Sequence, residues 1–155
     1  MKKTTKKKTI RHEIQTDYLG KVYGKEFLTL VPKVVKKLRA IKRKHPFDAI
    51  AFTGSSGAAL AYPLSYLMKM PLIHVRKDDD SHYTSGLIEG TISSKRYVIV
   101  DDFIESGNTI KRIIKTINKE LKKSGAKPAA ICLYSDYVVK PFFKYYGTQV
   151  PVFKV

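Results

Sequence analysis

Cysteine, acidic residues and long apolar runs are all scarce in this chain, and each shortage removes a class of answer. One cysteine, Cys132, excludes an internal disulfide, and a lone thiol cannot build a cysteine-rich zinc site. Because it lies in the apolar run 129–134, Cys132 is expected to be a small core residue. No apolar stretch approaches the ~20 residues that a membrane-spanning helix requires. The basic start leads into Arg11, His12 and Glu13 rather than into the apolar region of a signal peptide. A cytoplasmic protein with no membrane partner is expected. No internal repeat is visible, so a solenoid or propeller is not indicated.

The shortage of acid leaves 30 Lys and Arg against 13 Asp and Glu, a formal charge of +17. Five lysines fall within the first eight residues, and seven basic residues lie between Lys33 and Lys44. The first group reads as a disordered arm over residues 1–9, ahead of one domain over residues 10–155. The second group shares a segment with Val31, Val34, Val35, Leu38 and Ile41, which recur at helical spacing, so the lysines take the opposite face. A solvated face, attraction of a polyanionic substrate, or contact with nucleic acid would each explain such charge. Neither cluster is interleaved with aromatic stacking residues, so nucleic acid is an admissible partner but not the favoured one.

With 155 residues and 43% hydrophobic content, the chain can bury one substantial core. Residues 48–53 read as a strand, with the small-residue loop Gly54, Ser55, Ser56 and Gly57 directly after it. A helix follows over residues 58–68, which Pro63 must begin or kink. Residues 71–75 form the next strand, and residues 87–96 suggest a short hairpin leading back into the strand 97–100. Beyond the helix that starts near Ile110, Gly125 suits a C-terminal cap and Pro128 blocks continuation. Strands follow at 129–134 and 150–154. This alternation predicts an α/β domain with a mostly parallel central sheet flanked by helices.

The most informative run is residues 97–110. The apolar strand ends in Asp101 and Asp102, then Phe103, Ile104, Glu105, Ser106, Gly107, Asn108 and Thr109 lead into the helical pattern Ile110, Ile113, Ile114, Ile117, Leu121. A doubly buried strand presents its carboxyl end to the ligand crevice of a parallel sheet. The turn places Gly107 and the hydroxyls of Ser106 and Thr109 before the positive end of a helix dipole, which suits a phosphate monoester. Two carboxylates beside it would repel a phosphate but suit sugar hydroxyls or a Mg²⁺ ion. The ligand inferred from these residues is a sugar phosphate.

The run resembles the 5-phosphoribosyl-1-pyrophosphate (PRPP) motif of type I phosphoribosyltransferases, with Ser106 in place of the first threonine of Thr-Gly-x-Thr. The resemblance implies PRPP bound with its 5-phosphate on Glu105, Ser106, Gly107, Asn108 and Thr109. Its ribose and Mg²⁺ would lie near Asp101 and Asp102. Pyrophosphate would lie on Thr53, Gly54, Ser55, Ser56 and Gly57 together with Arg76 and Lys77. Mg²⁺ is the implied cofactor, carried by the substrate, and a homodimer is the implied assembly. Residues 78–90 correspond to the loop that closes over the reaction centre in this family, yet they contain no Lys or Arg. His82 is the available substitute there. Glu105 corresponds to a general-base position of 6-oxopurine enzymes, which favours a purine acceptor; helix-dipole complementarity is the alternative role. Tyr137, Val138 and Lys140 follow the strand after which purine enzymes place base-binding residues.

Two functions follow. One is transfer of the phosphoribosyl group from PRPP to a nitrogenous base, with Glu105, Asp101, Asp102, Lys77 and His82 as the catalytic candidates. The other is a regulatory protein that binds PRPP or a nucleoside monophosphate with little turnover and contacts nucleic acid through its basic surface.

Overall fold

The computed structural model describes residues 21, 22, 24–77, 86–135 and 140–155. The elements in chain order are α1 (Phe27–Lys44), β1 (Ala49–Phe52), α2 (Gly54–Met68), β2 (Leu72–Val75), β3 (Ile88–Gly90), β4 (Arg96–Asp101), α3 (Asn108–Glu120), β5 (Lys127–Leu133), β6 (Phe142–Tyr145) and β7 (Thr148–Lys154). They form a seven-stranded sheet in the order β3-β2-β1-β4-β5-β7-β6. The five inner strands are parallel, and β3 and β6 are antiparallel edges. The order turns back on itself between β1 and β4, so the carboxyl ends of these two neighbours flank the crevice where such sheets bind ligands.

The apolar strand runs arise because each central strand buries both faces. Ile50, Phe52, Val98, Val100, Ala130 and Cys132 face α1 and α2. Ala49, Ala51, Tyr97, Ile99, Ile131 and Leu133 face the isoleucine stripe of α3. Cys132 is thus a core residue, and burial pushes its thiol up to about 12, far from nucleophilic use. Among the described residues, no helix is long and apolar enough to cross a membrane.

Two local expectations change, and one pair of alternatives is decided. Residues 54–57 are the first turn of α2 rather than a separate loop. Gly57 makes this possible, because a Cβ there would lie 2.9 Å from Phe52 Cβ and 3.2 Å from the Val100 carbonyl oxygen; the helix can pack tightly on β1 and β4 only without it. Pro63 then falls inside α2 instead of starting it. Finally, β3 pairs with β2, not with β4, so residues 87–96 close no hairpin onto the motif strand.

At the opposite sheet edge, β6 and β7 form a hairpin whose two-residue turn, Tyr146-Gly147, has φ of +40° and +76°. Positive φ at both central residues is the twist-matched geometry of tight hairpins. The contiguous sequence shows β7 but not β6, because a four-residue edge strand reading Phe-Phe-Lys-Tyr carries little alternation.

Candidate functional site

The carboxyl ends of β1 and β4 open into a cleft of about 380 Å³. Its walls begin at Thr53 after β1 and Asp101 at the end of β4, and two helices start there. α2 begins at Gly54 and α3 at Asn108, and neither carries an acidic residue in its first turn. No carboxylate in either first turn offsets the helix dipole, so both positive ends remain available to an anion. Lys77 and Arg112 add side-chain cations to the lining.

The loop before α3 is fixed by geometry as well as by hydrogen bonds. Gly107 has φ of +75°, and a Cβ on it would fall 2.6 Å from Cε2 of the Phe143 ring on β6. A left-handed conformation and a ring pressed against the backbone together demand glycine here. The Asn108 N–H donates to Ser106 Oγ at 3.3 Å, which holds the turn open to the cleft.

The acidic pair is buried and self-bracing. Asp101 Oδ1 accepts the Ser56 hydroxyl at 3.1 Å and the Asp102 N–H at 3.0 Å. Asp102 Oδ1 accepts the Phe103 N–H at 2.9 Å. Burial first, and then the adjacent Asp102 carboxylate, push the Asp101 carboxyl up to about 7. Asp101 therefore holds a proton more readily than an ordinary carboxyl and gives it up when positive charge arrives. The Ser56 carbonyl is anchored in turn by the Tyr134 hydroxyl at 2.8 Å, so β5 steadies the start of α2.

Arg112, one turn into α3, was not singled out in the sequence. Its Nη2 donates to Thr53 Oγ1 at 3.1 Å, while its buried Nε has no hydrogen-bond partner among the described residues. A buried N–H of a charged group that lacks an acceptor marks the place where an anion would be stabilised.

Residues 8–138 match the PRTase-CE family. The chain is a member of that family, within the type I phosphoribosyltransferases. It is 31% identical over 104 residues to an orotate phosphoribosyltransferase of Pyrobaculum islandicum, covering 66% of this chain and 52% of that protein. A Listeria monocytogenes orotate phosphoribosyltransferase is 30% identical over 124 residues, covering 75% of this chain and 57% of the other. The chain thus spans about half the length of the curated relatives it matches. An adenine phosphoribosyltransferase structure from Saccharomyces cerevisiae superposes with a TM-score of 0.55 at 17% identity, covering 81% of this chain and 78% of that one. The last likeness concerns the fold.

In this PRTase-CE chain the cleft gathers most of the residues singled out in the sequence. Thr53, Gly54, Ser55, Ser56, Lys77, Asp101, Asp102, Glu105, Ser106, Gly107, Asn108 and Thr109 all line it. Two do not. Gly57 is the packing glycine of α2, and Arg76 directs Nε to Glu89 Oε1 at 3.5 Å, toward β3 and away from the cleft. Glu89 also lies 3.4 Å from His74 Nδ1, so this edge strand supplies the acid that draws Arg76 aside. Lys140 lies outside the cleft in an adjoining cavity of about 580 Å³. Ile104, Glu105, Ser106 and Gly107 line both spaces and form the ridge between them. His82, Tyr137 and Val138 lie outside the described residues, as does the arm over residues 1–9.

The donor set also bears on Mg²⁺. The described residues hold no group of three His, Cys, Asp or Glu that could retain a metal ion unaided. Asp101 and Asp102 offer hard carboxylate oxygens at the cleft floor, and two such ligands fit an ion that arrives already held by a diphosphate.

Proposed function

We propose that the protein transfers the 5-phosphoribosyl group of PRPP to a nitrogen heterocycle with release of pyrophosphate. The observation that carries this reading is the convergence of two acid-free helix starts, Lys77 and Arg112 on one cleft whose floor is the Asp101–Asp102 pair. Phosphate and pyrophosphate each find backbone N–H groups there, and the acidic pair stands where hydroxyls or a cation must lie between them.

The 5-phosphate takes the turn from Glu105 to Thr109, and pyrophosphate takes the start of α2 with Lys77. The acceptor nitrogen bonds to the anomeric carbon as the bond from that carbon to the pyrophosphate oxygen breaks, and pyrophosphate leaves with the electron pair. Lys77 and Arg112 stabilise the departing charge. Glu105, on the ridge beside the ribose, takes the proton that the acceptor nitrogen loses. Asp101 and Asp102 are the residues that would hold a Mg²⁺ ion carried by the diphosphate, and such an ion would neutralise the diphosphate charge.

The acceptor reading shifts from the purine preference drawn from Glu105. Lys140 and Lys144 line the adjoining cavity with Phe142 and Phe143, and Glu105 is its only carboxylate among the described residues. Two cations and an aromatic wall suit an oxygen-rich or anionic heterocycle, and the curated relatives named above act on orotate. Orotate is therefore the first acceptor to assay, with hypoxanthine and adenine beside it. Pyrophosphate release from PRPP that depends on both Mg²⁺ and one of these bases supports transfer.

A second reading, nucleotide binding with little turnover, draws on the absence of Lys and Arg from residues 78–90. Saturable PRPP binding without pyrophosphate release for any base would favour it.

A further inference from the structure

A second basic concavity lies behind the cleft, where the outer face of α3 meets the β6–β7 hairpin. Lys111, Arg112, Lys115, Lys144, Tyr145 and Tyr146 line this groove of about 430 Å³. Lys111 and Lys115 stand one helical turn apart on the face opposite the isoleucine stripe. No carboxylate among the described residues pairs with Lys111, Lys115 or Lys144.

Tyr146 is 91% exposed, and its ring stands edge-on to Tyr145 at 4.7 Å between centroids. It occupies the first position of the hairpin turn with φ of +40°, where asparagine or glycine is the easier residue. A bulky ring in a left-handed conformation and open to solvent contributes little to the fold and adds local strain. Its face is free to stack.

We propose that this groove binds single-stranded nucleic acid, with the lysines on successive phosphates and a base on Tyr146. Unpaired cations beside an exposed aromatic face are the two parts that a single-strand binding surface requires. The chain's charge of +17 provides long-range attraction to any polyanion, but the ring selects for an unstacked base. A second copy of the chain does not fit, because a two-fold contact would set these lysines against themselves. An anionic membrane fits poorly because the site is concave. Arg112 lines both the groove and the cleft, so a bound strand would pass directly behind the nucleotide site. Sequence alone hides this surface, since its aromatic and basic parts come from segments some thirty residues apart and meet only through the fold.

The test is fluorescence anisotropy of the full chain with labelled oligothymidylate, oligouridylate and a duplex of equal length, across a salt series. Single strands should bind more tightly than the duplex. Tyr146→Asn should weaken single-strand binding about fivefold or more while leaving the melting temperature unchanged or higher, since asparagine relieves the turn. Replacing Lys111, Lys115 and Lys144 together by alanine should lower the slope of log affinity against log salt by about 2. The proposal is overturned if no oligonucleotide binds, if the duplex binds as tightly, or if Tyr146→Asn changes nothing. It is equally overturned if Lys36→Ala with Lys37→Ala on α1 causes the same loss, or if phosphatidylserine vesicles bind through these residues and oligonucleotides do not.

Discussion

The Arg112 guanidinium donates from Nη2 to Thr53 Oγ1 at 3.1 Å, and the Thr53 hydroxyl passes its own proton to the Val75 carbonyl at 2.6 Å. The relay ties α3 to the carboxyl ends of β1 and β2, and it sets a cation with one unused N–H at the wall of the cleft. Arg112→Ala is expected to raise KM for PRPP about tenfold or more, as loss of a charged hydrogen-bond donor implies. Arg112→Lys should rescue little, because an ammonium cannot reach Thr53 and an anion with the same planar fork. Steady-state kinetics with PRPP varied, read beside the melting temperature, separates this from a folding defect.

Gly107→Ala should destabilise the protein by about 1–3 kcal/mol, from left-handed strain and from overlap with the Phe143 ring. Urea unfolding measures it. In a Phe143→Leu background the overlap is relieved and the strain persists, so only part of the loss should return.

Asp101 couples stability to pH. Its carboxyl is raised to about 7 in the folded protein by burial and by Asp102, so the folded state keeps a proton that the unfolded chain has already released near pH 4. Its contribution is most favourable at or below about pH 4 and declines as pH rises toward and through 7. Asp101→Asn should therefore stabilise the unliganded protein at pH 8 by about 1–3 kcal/mol relative to wild type, with a smaller gain at pH 5. The same substitution should weaken binding of Mg²⁺ with PRPP. Thermal melts across pH 5–8, with and without ligand, check both effects.

Asp48 gives the opposite pH sign at the other end of the sheet. Its carboxylate accepts the Ser94 hydroxyl at 2.5 Å and the N–H groups of Lys95 and Arg96 at 3.0 and 3.1 Å. Partial burial pushes the carboxyl up, but these hydrogen bonds outweigh it and hold the group below its ordinary value. Its stabilisation is present above the usual carboxylate range and is lost as pH falls through the lowered value. Asp48→Ala should cost about 1 kcal/mol at pH 7, and less in acid, by urea unfolding.

The strand, acidic pair, loop and α3 were legible because they are contiguous and each obeys one local rule, from the buried run 98–100 to the 3.6-residue period of the isoleucines. The helical start at residues 54–57 was not, since glycine and serine favour turns and only contact with Phe52 and Val100 overrides that preference. Nothing in the segment around Arg76 reveals Glu89, whose Oε1 lies 3.5 Å from its Nε on the neighbouring edge strand. Arg112 was hidden for the converse reason: its partner, Thr53, lies 59 positions away. Charge assignments fail in sequence wherever a counter-charge or acceptor arrives from another strand.

A thermal-shift titration of PRPP with Mg²⁺ tests most directly whether the cleft between α2 and α3 is a PRPP site. The unliganded protein and the Asp101→Asn, Asp102→Asn double variant serve as references for their own liganded forms. Wild type should show a saturable rise in melting temperature, equivalent to about 2.7 kcal/mol at a hundredfold excess over Kd, and the double variant should show little or none. No shift in wild type, or an equal shift in the variant, would contradict the account.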